Sequence, residues 1–167
     1  MESVTHTLNY TFNRFVFPIA SVSWINYKSE AQLGDGILAG IDDGLPVYVC
    51  RGAHEGLVIP GTIIKINATN LVQCHMAYFN QVIVSSEFEM VIGSNLEWIN
   101  SSYTLDKAVY GGATADNKPY LICRTMKDND PNRTSVGKLE PPLYNTCIVA
   151  YGDVVSDHDD FNILVHA

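Results

Sequence analysis

Short runs of β-branched and aromatic residues alternate with clusters of turn-forming residues along this chain. Val47-Tyr48-Val49 follows Asp42-Asp43-Gly44, and Tyr120-Leu121-Ile122 follows Ala115-Asp116-Asn117. No ten-residue stretch combines the apolar spacing of an amphipathic helix with capping residues. The pattern predicts an all-β fold with little or no helix. Further strands are predicted at residues 58–59, 63–64, 72–79, 82–84, 147–151 and 161–165.

The same landmarks occur twice along the chain. Trp24-Ile25-Asn26 recurs as Trp98-Ile99-Asn100, an offset of 98 − 24 = 74 residues. The other matched positions are each 73 residues apart: Cys50 and Cys123, Cys74 and Cys147, Tyr78 and Tyr151, and Phe88 and Phe161. A register kept to within one residue across the unit predicts an internal duplication.

We assign the first repeat to residues 21–94 and the second to residues 95–167. Two copies of a four- or five-stranded antiparallel unit would pack most simply about a pseudo-two-fold axis. Because each repeat alone is too small to bury much core, the pair should fold as one unit. Residues 1–20 have no counterpart, and their aromatic alternation predicts an extra N-terminal strand or arm. Such an arm could cover a sheet edge or pair with a second copy in a homodimer.

The four cysteines occupy equivalent places in the two repeats. A symmetric pattern would join Cys50 to Cys74 and Cys123 to Cys147, and it is one of three possible connectivities. Four buried free thiols are the alternative. The spacing lacks the Cys-x-x-Cys pattern of a zinc site, so no metal is expected.

The overall charge limits the classes of partner. Eighteen acidic residues against ten basic ones give a net charge of −8, which argues against a nucleic acid as partner. No run of 18 apolar residues is present, so no membrane insertion is expected. The N-terminus lacks the pattern of a signal peptide, whereas four glycosylation sequons, at Asn9, Asn67, Asn100 and Asn132, favour a secretory route. The sequence is compatible with a secreted or a cytoplasmic protein.

Signatures of catalysis are missing from the sequence. It has no nucleophile elbow, phosphate-binding loop, zinc-protease motif or dinucleotide fingerprint, and we expect neither an enzyme nor a cofactor. The acidic run from Ser156 to Asp160 could ligate a hard cation, but its spacing differs from an EF-hand. We interpret it as a solvated turn. His54 is interpreted as a structural or rim residue.

A specific set of motifs emerges when the repeats are read in order. The first repeat carries Ala39-Gly40, Val47 to Gly56, Ile59-Pro60-Gly61, Cys74 with Tyr78, and Phe88 to Val91. The second carries Trp98, Gly111-Gly112, Leu121 to Arg124, Gly137-Lys138, Cys147 with Tyr151-Gly152, and Phe161 to Leu164. With these motifs the chain resembles the DM-nine repeat family over residues 21–167, most specifically from Val47 to Gly61.

The resemblance implies a sugar-binding, lectin-like module, with mannose-type glycans as ligands and pathogen recognition in innate immunity as a recurring role. In that family an Asp in the Gly-Gly-x-Asp turn and the Lys of Pro-Gly-Lys are tied to sugar binding. In the first repeat Asp42 is the nearest match to the Asp, with Asp43 as its rival, and Thr62 replaces the Lys. In the second repeat Lys138 is present, but Thr114 stands where the Asp should be and Asp116 follows two residues later.

Neither repeat therefore holds both partners. A composite site could combine Asp42 of one repeat with Lys138 of the other, with Trp24, Trp98 or Tyr48 stacking on a sugar ring. Both Trp residues are also typical core anchors, and Arg51 and Arg124 could form structural ion pairs. The alternative function is a non-enzymatic intracellular or vesicle-associated interaction protein that keeps the fold without binding sugar.

Overall fold

The first repeat forms seven antiparallel strands. The structure is a computed structural model, and it describes residues 22–66, 69–100 and 105–167. The strands are β1 (Val22–Asn26), β2 (Leu38–Asp42), β3 (Leu45–His54), β4 (Leu57–Ile66), β5 (Leu71–Tyr78), β6 (Gln81–Ser85) and β7 (Glu89–Gly93). The predicted arm at residues 1–20 and the sequons at Asn9 and Asn67 lie outside the described residues.

The second repeat forms seven strands in the same order. They are β8 (Leu96–Asn100), β9 (Tyr110–Ala113), β10 (Pro119–Met126), β11 (Thr134–Leu139), β12 (Cys147–Tyr151), β13 (Val154–His158) and β14 (Asn162–His166). Within the described ranges the helical segments are three short 3-10 turns, Glu30–Asp35, Leu105–Lys107 and Lys127–Asn129. None of them is long and apolar enough to cross a membrane. The all-β prediction is confirmed, but the expected four or five strands per repeat were too few.

Strand pairing is the same in both repeats. In the first, β3 pairs with β2 and β7 on one side and with β4 on the other, and the sheet continues through β5 to β6. In the second, β10 pairs with β9, β14 and β11, and the sheet continues through β12 to β13. The registers also agree, since Cys50 lies opposite Gly61 and Cys123 lies opposite Gly137.

Two disulfide bonds close equivalent loops in the two repeats. Cys50 is bonded to Cys74 and Cys123 to Cys147, each pair 24 residues apart in sequence. All four residues are fully buried. The symmetric connectivity is therefore the one formed, and the free-thiol alternative is wrong for this structure.

A shared core joins the two repeats. Val49 and Val91 from the first repeat pack in one buried cluster with Ile122 and Leu164 from the second, and these residues are equivalent in pairs. The link is also reciprocal along the backbone, because β4 bridges to β9 at Val58 and Ala113, and Asp42 at the end of β2 bridges to Arg133 just before β11. Such reciprocal contacts are those of a pseudo-two-fold axis.

Two glycines allow the strands to approach closely at this seam. A Cβ atom on Gly112 of β9 would lie 1.9 Å from the carbonyl oxygen of Val58 in β4. A Cβ atom on Gly40 of β2 would lie 2.4 Å from Oγ1 of Thr134 in β11, the equivalent contact on the other side. Because a side chain would keep the strands apart, the seam requires glycine at these positions.

Each Trp anchors an arginine at the margin of the shared core. The guanidinium carbon of Arg51 lies 4.2 Å from the centroid of the Trp24 ring, and that of Arg124 lies 4.8 Å from Trp98. Arg51 also forms the predicted ion pair, with Glu89 at 2.6 Å. Arg124 instead donates to the carbonyl of Ala39 at 2.6 Å and to the side chain of Asn162 at 3.1 Å, and burial lowers its pKa. Both Trp rings thus pack against the shared core, and an arginine guanidinium already covers each ring.

Candidate functional site

A shallow depression lies beside the turn between β2 and β3. Its volume is about 230 Å³, and it is lined by Asp42, Asp43, Leu45, Pro46, Val47, Ile64 and Lys65. The turn forms because Asp43 and Gly44 both adopt positive φ, at 47° and 80°, which suits Asp and Gly. This tight turn places two carboxylates at the rim of an otherwise apolar floor.

Asp42 is held in place by the second repeat. Its Oδ1 accepts a hydrogen bond of 2.8 Å from the Tyr151 hydroxyl, which also accepts a 3.3 Å bond from Nε of Arg133. The backbone N–H of Asp43 donates to the carbonyl of Asn132 at 3.0 Å. Burial and the hydrogen bond to Asp42 raise the pKa of Tyr151, whereas Arg133 lowers it. These contacts preorganise the Asp42 carboxylate against the seam.

Two cations lie against the Tyr151 ring. Nζ of Lys127 lies 4.6 Å from the ring centroid and the guanidinium carbon of Arg133 lies 5.2 Å from it. Arg133 also forms an ion pair with Asp128, with 2.6 Å between the guanidinium nitrogen and the carboxylate oxygen. Acidic and basic groups therefore lie close together around Asp42 and Tyr151, and such groups can accept from and donate to hydroxyl groups.

Lys65 is the site residue that the sequence motif did not indicate. It follows Thr62 by three positions on β4, lines the depression and pairs with Glu30 of the first 3-10 turn. The family motif places its lysine directly after Pro-Gly, so a lysine three residues later does not align with it. Only the spatial closeness of β4 to the β2–β3 turn places Lys65 in the lining of the depression.

Thr62 lies inside the seam. It is 1% exposed, and its hydroxyl accepts from the N–H of Val136 at 2.7 Å and donates to the carbonyl of the same residue at 3.0 Å. Ser135 Oγ lies 3.2 Å from the same hydroxyl. Because these bonds use both faces of the hydroxyl within the protein, we leave Thr62 out of the candidate site.

Lys138 occupies the equivalent position in the second repeat and is also buried, with 3% exposure. Its ammonium pairs with Glu140 at 2.7 Å and lies 4.8 Å from the centroid of the Tyr120 ring. Burial raises the pKa of Tyr120, and Glu140 and Asp116 raise it further. Lys138 is thus the buried cation of a second, smaller polar cluster.

Thr114 and Asp116 lie in the β9–β10 turn at the edge of this second cluster. The Thr114 hydroxyl donates to Asp116 at 2.5 Å, and Lys118 pairs with Asp116 at 3.2 Å. The pKa of Asp116 is lowered chiefly by its hydrogen bond from Thr114 and then by Lys118. In this longer turn the Asp116 carboxylate is therefore paired with residues of the same turn, whereas the Asp42 carboxylate is paired with Tyr151 of the other repeat.

The predicted composite of Asp42 and Lys138 is not formed by direct contact. Asp42 is bonded to Tyr151 and Lys138 to Glu140, and no hydrogen bond or ion pair joins the two in the described part of the chain. The cluster around Asp42 draws on both repeats through Tyr151 and Arg133, whereas the cluster around Lys138 is built from residues of the second repeat. The cluster around Asp42 is the one with an open depression.

Metal chemistry has no candidate centre among residues 22–66, 69–100 and 105–167. No group of three or more His, Cys, Asp or Glu side chains there could hold an ion. In the acidic run, Oγ of Ser156 lies 2.9 Å from Nε2 of His158 on strand β13. The turn interpretation of this run is therefore only partly right, because Ser156 to His158 form the end of a strand.

The family assignment rests on a match of the DM9 repeat model to residues 41–158, which is more than half of the chain. The chain belongs to the DM9 repeat family. The predicted resemblance is thereby confirmed. A search of curated proteins found no match.

The fold is shared with solved structures. Seven chains match, among them the nematode sperm cell motility protein MFP2B, with a TM-score of 0.56 and 11% sequence identity. The match covers 86% of this chain but 44% of the nematode chain, so the DM9 pair described here spans less than half of that protein.

Proposed function

We propose that this DM9 protein is a carbohydrate-binding, lectin-like protein that recognises mannose-type glycans. The observation that carries the proposal is the depression beside the β2–β3 turn, which is lined by Asp42, Asp43 and Lys65 together with apolar side chains. Binding, and not catalysis, is the activity that this arrangement supports. Recognition of microbial glycans in innate immunity is the role that we propose for it.

The chemistry of a sugar ring fits these groups. Adjacent hydroxyls of a pyranose can donate to one carboxylate and accept from an ammonium, and both bonds are strengthened by the charged partner. Asp42 is already fixed by Tyr151, so little side-chain entropy is lost when a sugar binds. Apolar floor residues such as Leu45 and Ile64, both partly exposed, can contact the ring carbons.

The size of the depression limits the ligand. Pockets for drug-sized molecules have volumes of about 300–1,000 Å³. At about 230 Å³ the depression would hold a single terminal ring of a glycan. We therefore expect weak binding of monosaccharides and stronger apparent binding of multivalent mannan, through avidity.

Isothermal titration with methyl α-mannoside and yeast mannan tests the proposal. Asp42→Asn keeps the hydrogen-bond acceptor for Tyr151 but removes the charge, and we expect it to weaken binding about tenfold, the effect of about 1.4 kcal/mol. Asp159→Asn, an identical change at an exposed acid outside the depression, is the matched control. The proposal is rejected if the wild-type protein releases no heat with mannose, glucose, galactose or mannan.

A second candidate function is a non-enzymatic interaction protein. It is favoured by the structural roles of the aligned residues, because Thr62 bonds within the seam and Lys138 is buried against Glu140. The nematode protein of similar fold is named as a motility protein, which is compatible with such a role. Under this alternative, Asp42→Asn and Lys138→Ala would leave partner capture from a homologous extract unchanged, and no glycan would compete with the partner.

A further inference from the structure

An exposed phenylalanine occupies a turn position that disfavours it. Tyr78 pairs with Gln81 across the β5–β6 hairpin, so Phe79 and Asn80 form a two-residue loop. Phe79 has φ of +49° and is 77% exposed. Bulky L-residues rarely adopt this left-handed conformation. The second repeat has Gly152 at the equivalent place, with φ of +59°, which carries no such penalty.

Phe79 is the outer member of a row of three rings. Its centroid lies 4.7 Å from that of Tyr78 at an angle of 70°, and Tyr78 lies 4.7 Å from His54 at 72°. The Tyr78 hydroxyl donates to Oε2 of Glu55 at 2.7 Å. The exposed Phe79 ring and the exposed Glu55 carboxylate therefore both contact the Tyr78 side chain.

The row continues towards the second repeat. Tyr78 packs against the buried cluster that contains Tyr120 of the second repeat. Tyr120 in turn lies beneath the Lys138 ammonium at 4.8 Å. The rings of the first repeat therefore adjoin the polar cluster of the second.

We propose that Phe79 and Glu55 form a second carbohydrate subsite, in which Phe79 stacks on the apolar face of a pyranose ring and Glu55 accepts a hydrogen bond from its hydroxyls. The subsite rests on the proposed carbohydrate-binding function. The subsite adjoins the Lys138 cluster. A sugar ring bound at Phe79 would therefore belong to an oligosaccharide that also contacts the second repeat.

The surroundings favour a sugar over a protein partner. The exposed neighbours of Phe79 are polar: Asn80 and Gln81 follow it directly in sequence, and Glu55 bonds to the adjacent Tyr78. A stable protein interface needs about 800 Å² from each partner, with an apolar centre. A pyranose has one apolar face edged by hydroxyls, which matches a single ring bordered by polar groups.

The experiment compares two changes at Phe79 in the full chain. Phe79→Asn removes the ring, and Asn tolerates positive φ, so folding should be retained and thermal stability should be equal or higher. Phe79→Trp keeps an aromatic face. Tyr110→Asn is the matched control, because Tyr110 is also an exposed ring, at 55%. Binding of a linear mannopentaose and of methyl α-mannoside is measured by titration.

We expect Phe79→Asn to weaken mannopentaose binding about tenfold, equivalent to about 1.4 kcal/mol. Phe79→Trp and Tyr110→Asn should stay within about twofold of the wild-type protein. If Phe79→Asn binds normally while Asp42→Asn does not, the subsite is refuted and the proposed function stands. If the wild-type protein binds no sugar, both are refuted. If Phe79→Asn leaves sugar binding intact but dissociates a dimer in sedimentation, the ring is a protein contact and the subsite is again refuted.

Discussion

Replacing Gly112 with Ala tests whether the close approach of β9 and β4 holds the repeats together. The added Cβ would lie 1.9 Å from the Val58 carbonyl oxygen and 2.7 Å from the carbonyl carbon, and both atoms belong to the backbone. No rotamer change relieves such a clash, so β9 must move away from β4. Overpacking costs typically about 1–3 kcal/mol, and a backbone clash belongs at the upper end, about 3 kcal/mol.

The expected loss is measurable by thermal denaturation. For a domain of this size about 1 kcal/mol shifts Tm by 2–4 °C, so Gly112→Ala should lower Tm by about 6–12 °C. Gly34→Ala is the control, because a Cβ there meets nothing within 4 Å and should change Tm little. Circular dichroism melts at matched concentration give both values. A Gly112→Ala melt within about 2 °C of the wild-type protein, or a loss equal to that of Gly34→Ala, would refute the close-packed seam.

Two further predictions concern stability. Replacing both Cys50 and Cys74 with Ser removes a cross-link that closes a 24-residue loop, and should cost about 3.5 kcal/mol by the loop-entropy estimate, measured by urea denaturation against the intact protein. Burial lowers the pKa of His75, although Asp153 partly opposes this, and Nε2 is buried with no hydrogen-bond partner among the residues that the structure describes. The unfolded state therefore binds the proton more readily, and stability present above pH 6.5 should decline as pH falls below it. The Tm of the wild-type protein should fall between pH 7.5 and 5.5, and the Tm of His75→Gln should fall by less. Equal slopes of Tm against pH in the two proteins would contradict the role given to His75.

Much of the fold could be predicted because its signals are local or periodic. The 73-residue offset between Cys50 and Cys123 predicted the duplication, and the apolar runs around Val49 and Ile122 predicted the central strands. The strand count was too low because β1 and β8 are five-residue elements without clear apolar alternation. Their pairing with β7 and β14 depends on contacts distant in sequence, which a local pattern does not carry.

The candidate site was less predictable, because the chemistry of each residue depends on the other repeat. The family resemblance predicted Thr62 as a site residue, yet packing against Val136 buries it. Lys65 lines the depression because β4 passes the β2–β3 turn, a closeness that the sequence does not indicate. Phe79 could have been noticed from sequence, since the second repeat has Gly152 there, but its exposure and its contact with Tyr78 could not.

The reciprocal seam has a consequence for the ancestry of the chain. Val49, Val91 and their partners Ile122 and Leu164 make the kind of self-complementary contact that a two-fold homodimer uses. A single-repeat ancestor would therefore have folded as a dimer, its stability tied to its concentration. Gene fusion removes that dependence and makes the two halves separately mutable. The β12–β13 turn could then keep glycine at Gly152 while the equivalent β5–β6 turn acquired Phe79. In a homodimer of identical chains the two turns would always carry the same residue.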